Sequence, residues 1–135
     1  MELTVSRAFV QVHDPDVALA FYRDTLGLEL RHDVANEGFR WITVGAPSQE
    51  GVEIVLTDYV SGGPDDRDAL AALLAKGALN GVHFRSDDLD ATFEKVRASG
   101  AEIVQEPTEQ FWGTRDFAVR DPSGNLVRID QPPAK

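Results

Sequence analysis

Apolar and polar positions along the chain run through the same pattern twice. In the first round, residues 8–12 form a short apolar stretch that reads as a strand. Asp14 stands where a helix N-cap is wanted, and Pro15 suits the first helical position. Val17, Ala18, Phe21, Tyr22 and Leu26 then recur at helical spacing until Gly27 closes the helix. Residues 28–32, 39–44 and 52–57 read as three strands, so the order is β-α-β-β-β.

The second round repeats it. Residues 82–86 read as a strand, Asp88 caps a helix striped by Leu89, Phe93 and Val96, and Gly100 ends it. A strand begins at Ile103-Val104, another covers 116–120, and Asp121-Pro122-Ser123-Gly124 is a strong turn signal before a last strand at 126–129. Asp14 and Asp88 hold the same place before their helices, and Asp16 and Asp90 match two residues further on. Between the rounds, Ser61-Gly62-Gly63-Pro64 precedes a linking helix expected over 65–79 from Leu70, Leu73, Leu74 and Ala78, with Gly77 weakening its last turn. The expected layout is a first module at 1–60, a helical linker at 61–79, and a second module at 80–135 with an unstructured tail closed by Pro132-Pro133. Together they make one structural domain, α+β in class.

Three segments carry a family resemblance. "HDPDVALAFYRDTLGLEL" resembles the first-module signature of the vicinal oxygen chelate superfamily, with an Asp before a helix that contains Phe-Tyr and ends in Leu-Gly. "DDLDATFEKVRASGAEIVQEP" and "FWGTRDFAVRDPSGNLVRI" resemble its second module. The superfamily holds glyoxalase I, fosfomycin-resistance enzymes, extradiol dioxygenases, methylmalonyl-CoA epimerase and bleomycin-resistance proteins. The resemblance spans about residues 5 to 131. It implies paired βαβββ modules forming a curved mixed sheet around a cleft, helices outside, and a homodimer as the usual assembly. It says little about reaction, because one fold hosts unrelated chemistries.

Enzymes of this family hold a divalent metal through His, Gln or Glu on the cleft strands, since such a cation needs oxygen or imidazole donors. Carried over position by position, the ligand sites fall on Arg7, Val55, Gly81 and Arg128; a shift of two residues puts Glu53 in place of Val55 on the same strand face. Arginine offers only donors and glycine has no side chain. The expectation is therefore no metal and no cofactor, with glyoxalase or dioxygenase activity of the metal-dependent kind disfavoured. His13, His32 and His83 show no metal-ligand spacing of their own.

Strand alternation turns Arg7, Phe9 and Gln11 to one face, and Gly81, His83 and Arg85 to the matching face of the second round. Arg128, Leu126 and Asp130 join them, as does Trp41, flanked by Phe39 and Thr43; Trp112 sits in a loop that often covers the cleft mouth in this family. The expected ligand-binding set is Arg7, Phe9, Gln11, Trp41, Glu53, His83, Arg85, Trp112 and Arg128. An aromatic wall with polar donors suits a small molecule with a planar apolar body and an anionic or carbonyl group. Alternatively Arg7 and Arg128 pair with Glu53 or Asp130 as structural links, and Trp41 and Trp112 are core residues. His83 is the one candidate general base in this set.

Composition narrows the classes. With 135 residues the chain suits one domain or two small modules. The absence of cysteine excludes disulfides and thiolate chemistry. No apolar run approaches the ~20 residues of a membrane span, and the first ten residues lack the pattern of a signal peptide, so a cytoplasmic location is expected. Thirteen Lys and Arg against 23 Asp and Glu give a net charge of -10, which argues against nucleic acid as partner. Three functions compete: a binding protein for a small aromatic or carbonyl-containing molecule, a metal-independent lyase, isomerase or dioxygenase-like enzyme acting on a carbonyl or carboxylate compound, and a protein-interaction module with a filled cleft.

Overall fold

The computed structural model describes residues 1–132, so the tail expected at Pro133 lies outside the described residues. The chain divides into two compact units, residues 1–72 and residues from 73 onward. In the first unit, β1 (Arg7–Gln11), β2 (Glu29–Asn36), β3 (Phe39–Gly45) and β4 (Glu53–Thr57) form a four-stranded sheet in the order β1-β4-β3-β2. β1 and β4 run parallel and the other pairs antiparallel. In the second, β5 (Asn80–Arg85), β6 (Glu102–Glu109), β7 (Arg115–Arg120) and β8 (Leu126–Asp130) repeat that order as β5-β8-β7-β6. The duplication read from the sequence is thus a duplication of topology.

Each unit carries one amphipathic helix. Helix α1 spans Pro15–Leu19 and continues as a wider π-type turn over Ala20–Thr25. Asp14 caps it by accepting from the backbone N–H groups of Asp16 and Val17 at 2.9 and 3.4 Å. Its Ala18, Leu19, Phe21 and Tyr22 are buried with Val10, Val12, Ile42, Val44, Ile54 and Leu56. In the second unit Asp88 caps α3 (Leu89–Ala98) through the Ala91 N–H. Leu89, Phe93 and Val96 are buried with Phe117, Val119, Val127 and Ile129, and Phe93 meets Phe117 edge-to-face at 5.2 Å. Alternation along each strand therefore commits one face to the helix and leaves the other for different use.

Beyond shifts of a residue or two at strand ends, the structure departs from the sequence reading in β2, in the linking helix and in β5. β2 runs on to Asn36 because Glu37 and Gly38 take φ of 49° and 80°, a two-residue turn that keeps β2 and β3 paired to its tip. The linking helix α2 covers Pro64–Ala75, and Gly77 lies beyond it rather than inside. Gly77 at φ 78° donates to the Leu74 carbonyl while Ala78 donates to that of Leu73, the pair of bonds that closes a helix through a left-handed glycine. β5 holds one residue more than β8 between Asn80 and His83, so alternation slips there. No described helix is long and apolar enough to cross a membrane.

Candidate functional site

The open face of the first unit, away from α1, is set by strand register. Arg7 pairs with Glu53, Phe9 with Val55 and Gln11 with Thr57. Thr43 sits beside Val55 on one side and His32 on the other, and Val34 is opposite Trp41. The face has two ends. At one, Phe9 packs edge-on to Trp41 at 6.0 Å, Trp41 tilts against Phe39 at 6.2 Å, and Phe39 meets Tyr59 edge-to-face at 5.5 Å. Phe9 is 64% exposed, and Phe39 and Tyr59 are also exposed, while Trp41 is half-buried. Gln11 donates to the Tyr59 carbonyl at 3.1 Å, tying the end of β1 to this aromatic row. The row leads to a pocket of about 440 Å³ walled by Phe39, Asp58, Tyr59, Val60, Pro64 and Arg67, among others.

The other end is charged. Glu53, with its side chain 15% exposed, has Arg7 Nε 3.6 Å from Oε1 and His32 Nε2 3.3 Å from Oε2. The first is ion-pair distance but too long for a hydrogen bond. Oε1 is buried without a hydrogen-bond partner, and so is the Thr43 hydroxyl. Between the two ends, Val55 is a fully buried apolar floor.

The open face of the second unit is a closed polar network. Asp130 takes Arg85 at 2.8 Å on one oxygen and His83 Nε2 at 3.2 Å on the other. The Asp130 hydrogen bond, with its negative charge behind it, pushes the Arg85 guanidinium up from its ordinary pKa. Arg128 donates to Asp116 Oδ2 at 3.2 Å, and Gln105 and Gln110 donate to Asp116 Oδ1 at 3.0 and 2.8 Å. Asp116 is buried with both oxygens engaged. Arg128 thus finds its carboxylate on β7 rather than in Glu53 or Asp130, because Ala118 lies opposite it and Asp116 is the diagonal neighbour. Gly81 does not share the face of His83 and Arg85. The extra residue in β5 turns it inward, and a Cβ there would lie 3.1 Å from Asn125 Cβ and 3.5 Å from Val127 Cγ2. Trp112 meets Phe111 edge-to-face at the β6–β7 turn with ring centroids 4.8 Å apart, and both rings are largely exposed.

The structure therefore brings Arg7, Phe9, Gln11, Trp41 and Glu53 to one face, and His83, Arg85 and Arg128 to another, with Trp112 at a loop tip. The site read from sequence lacks His32 and Tyr59 in the first unit and Gln105, Gln110 and Asp116 in the second, and it names Phe39 and Thr43 only as the residues flanking Trp41. For His32 the β2–β3 alternation carried a signal, but the irregularity between Leu30 and His32 hides it. The residues at the family's ligand positions do not fit a divalent cation: Arg7 and Arg128 are guanidiniums already facing carboxylates, Val55 is an apolar floor, and Gly81 packs on β8. Among the described residues no group of three or more His, Asp or Glu side chains is placed to hold a metal.

Comparison with known proteins agrees with this architecture. The family model of the glyoxalase/bleomycin resistance protein/dioxygenase superfamily matches residues 4–129. The crystal structure of UcmS2 is 32% identical, covers 96% of this chain and 98% of its own, and superposes with a TM-score of 0.87. TnmS3, an antibiotic-binding protein from Streptomyces sp. CB03234, is 30% identical over 97% of each chain with a TM-score of 0.76. A probable lactoylglutathione lyase of Synechocystis sp. (strain ATCC 27184 / PCC 6803 / Kazusa) is 31% identical over 93% of each chain. The chain belongs to the glyoxalase/bleomycin resistance protein/dioxygenase superfamily.

Proposed function

We propose that this protein binds a small planar aromatic or carbonyl-containing molecule on the open face of its first unit, without the family's metal site. The observation that carries the reading is the aromatic row from Phe9 through the half-buried Trp41 and then Phe39 to Tyr59, its other rings exposed, ending at a pocket. Flat rings gain most from such edges and faces, and the pocket volume lies in the range of small-molecule sites. The likeness to an antibiotic-binding protein supports the same class of ligand. Non-donor residues at the metal positions support binding over metal-assisted chemistry. A cytoplasmic homodimer is the proposed setting.

Thermal-shift screening against planar natural products and small aromatic acids tests this. A ligand at a hundred times its dissociation constant stabilises by about 2.7 kcal/mol, and Trp41→Ala is expected to abolish the shift. A shift that survives Trp41→Ala unchanged overturns the placement.

A second reading rests on the paired histidines and the lyase relative. In it His83, oriented by Asp130, acts as general base of a metal-independent lyase or isomerase, with Arg85 stabilising an oxyanion. Turnover of a small carbonyl compound that His83→Ala abolishes is its expected result, and turnover untouched by that change ends it.

A further inference from the structure

Two buried polar atoms on the open face of the first unit have no hydrogen-bond partner: Glu53 Oε1 and Thr43 Oγ1. On the open face of the second unit the carboxylate of Asp130 has both oxygens engaged, whereas Glu53 has one without a donor. Buried acceptors are as a rule satisfied, and one that is not calls for a ligand or a water.

The two atoms lie at a defined place. Thr43 follows Trp41 by two positions on β3, a step of roughly 7 Å along the strand. Glu53 precedes Val55, which pairs with both Phe9 and Thr43. A ring resting on Trp41 and Phe9 therefore carries its substituents over Val55 toward Thr43 and Glu53. Arg7 already brings positive charge to Glu53, and His32 lies 3.3 Å from its other oxygen, so Oε1 calls for a neutral donor rather than another cation. Arg7 covers that oxygen without bonding to it, and its side chain is 47% exposed, so it can swing aside.

We propose that Glu53, with Thr43 beside it, is the specificity-determining acceptor of this face, taking a hydrogen bond from a hydroxyl or amino group on the ligand's ring. The proposal rests on the small-molecule reading above and adds which substituent the ligand must carry. Sites built to bond a hydroxyl reject the analogue that lacks it far more strongly than apolar pockets reject size differences.

The test uses the full chain with Trp112→Phe, which leaves Trp41 as its one tryptophan. Quenching of Trp41 is followed with β-naphthol and with its methyl ether, which has the same ring and no donor. β-Naphthol is expected to bind about tenfold or more tightly, the ratio that one hydrogen bond to a charged group supports. Glu53→Leu should bring the ratio to about one, because β-naphthol then loses the bond that its ether never makes, and Thr43→Val should lower it about threefold, the share of a neutral bond. Equal affinities in the parent protein overturn the inference and assign the vacancy to water, while leaving the aromatic site standing. No quenching by either compound removes the aromatic reading itself and the inference with it.

Discussion

On β4 of the first unit, Glu53 is flanked by an arginine and a histidine; on β8 of the second, Asp130 is flanked likewise. The two clusters stand at opposite ends of corresponding strands, Glu53 opening β4 and Asp130 closing β8, and the faces around them diverge. In the second unit Asp116 gathers Arg128, Gln105 and Gln110 into bonds that leave neither of its oxygens free. In the first, the comparable area holds rings, and one carboxylate oxygen has no donor. The helix-side faces are alike because both must bury an apolar stripe, and nothing in the fold demands that the other faces match. A face whose polar groups are all satisfied acts as structure, whereas one with exposed rings and an unsatisfied acceptor is suited to a ligand.

The contrast can be broken by mutation. Asp116→Ala strips Arg128 and two amides of their acceptor and is expected to cost about 2–3 kcal/mol, the scale of lost hydrogen bonds to a charged group when the half-exposed partners can turn to water. Glu53→Gln in the first unit should cost about 1 kcal/mol or less, because one oxygen already lacks a donor. Urea unfolding of both variants measures the difference, and equal losses would show that the two clusters are energetically the same. On the shared side of the comparison, Asp14→Ala and Asp88→Ala should each cost about 1 kcal/mol, the usual worth of an N-cap. A large inequality between them would deny that the helices are equivalent.

Acid titration gives the smallest effect and probes the first unit through Asp33. The hydrogen bond from Arg40 holds the Asp33 carboxyl below the usual carboxylate range. The native state then binds this proton less readily than the unfolded chain, so the pair stabilises above the unfolded pKa of about 3.9 and that contribution fades as pH falls through the lower native value. Asp33→Asn should be less stable than the parent at neutral pH, and the gap should close in acid. A gap that is constant with pH would remove Asp33 from the account.

Much of this was legible in the sequence. The repeated Asp caps, the helical stripes and the alternating strands place every core element, because period and punctuation report burial directly. Strand parity also put Arg7, Phe9, Gln11 and Trp41 on one face. What stayed hidden depends on register between strands. The Arg128–Asp116 bond needs the β7–β8 pairing, His32 beside Glu53 needs β2 to pass an irregularity, and the inward turn of Gly81 needs the extra residue of β5. The sequence carries the linking helix past Gly77, which in fact lies beyond its end, because Ala78 continues the apolar stripe and masks the stop.

Backbone amide shifts recorded while the protein is titrated with β-naphthol test the central claim most directly. The account predicts that the changes gather at Phe9, Trp41, Thr43, Glu53 and Tyr59 in the first unit. Changes confined to His83, Arg85, Asp116 and Arg128 in the second would contradict it.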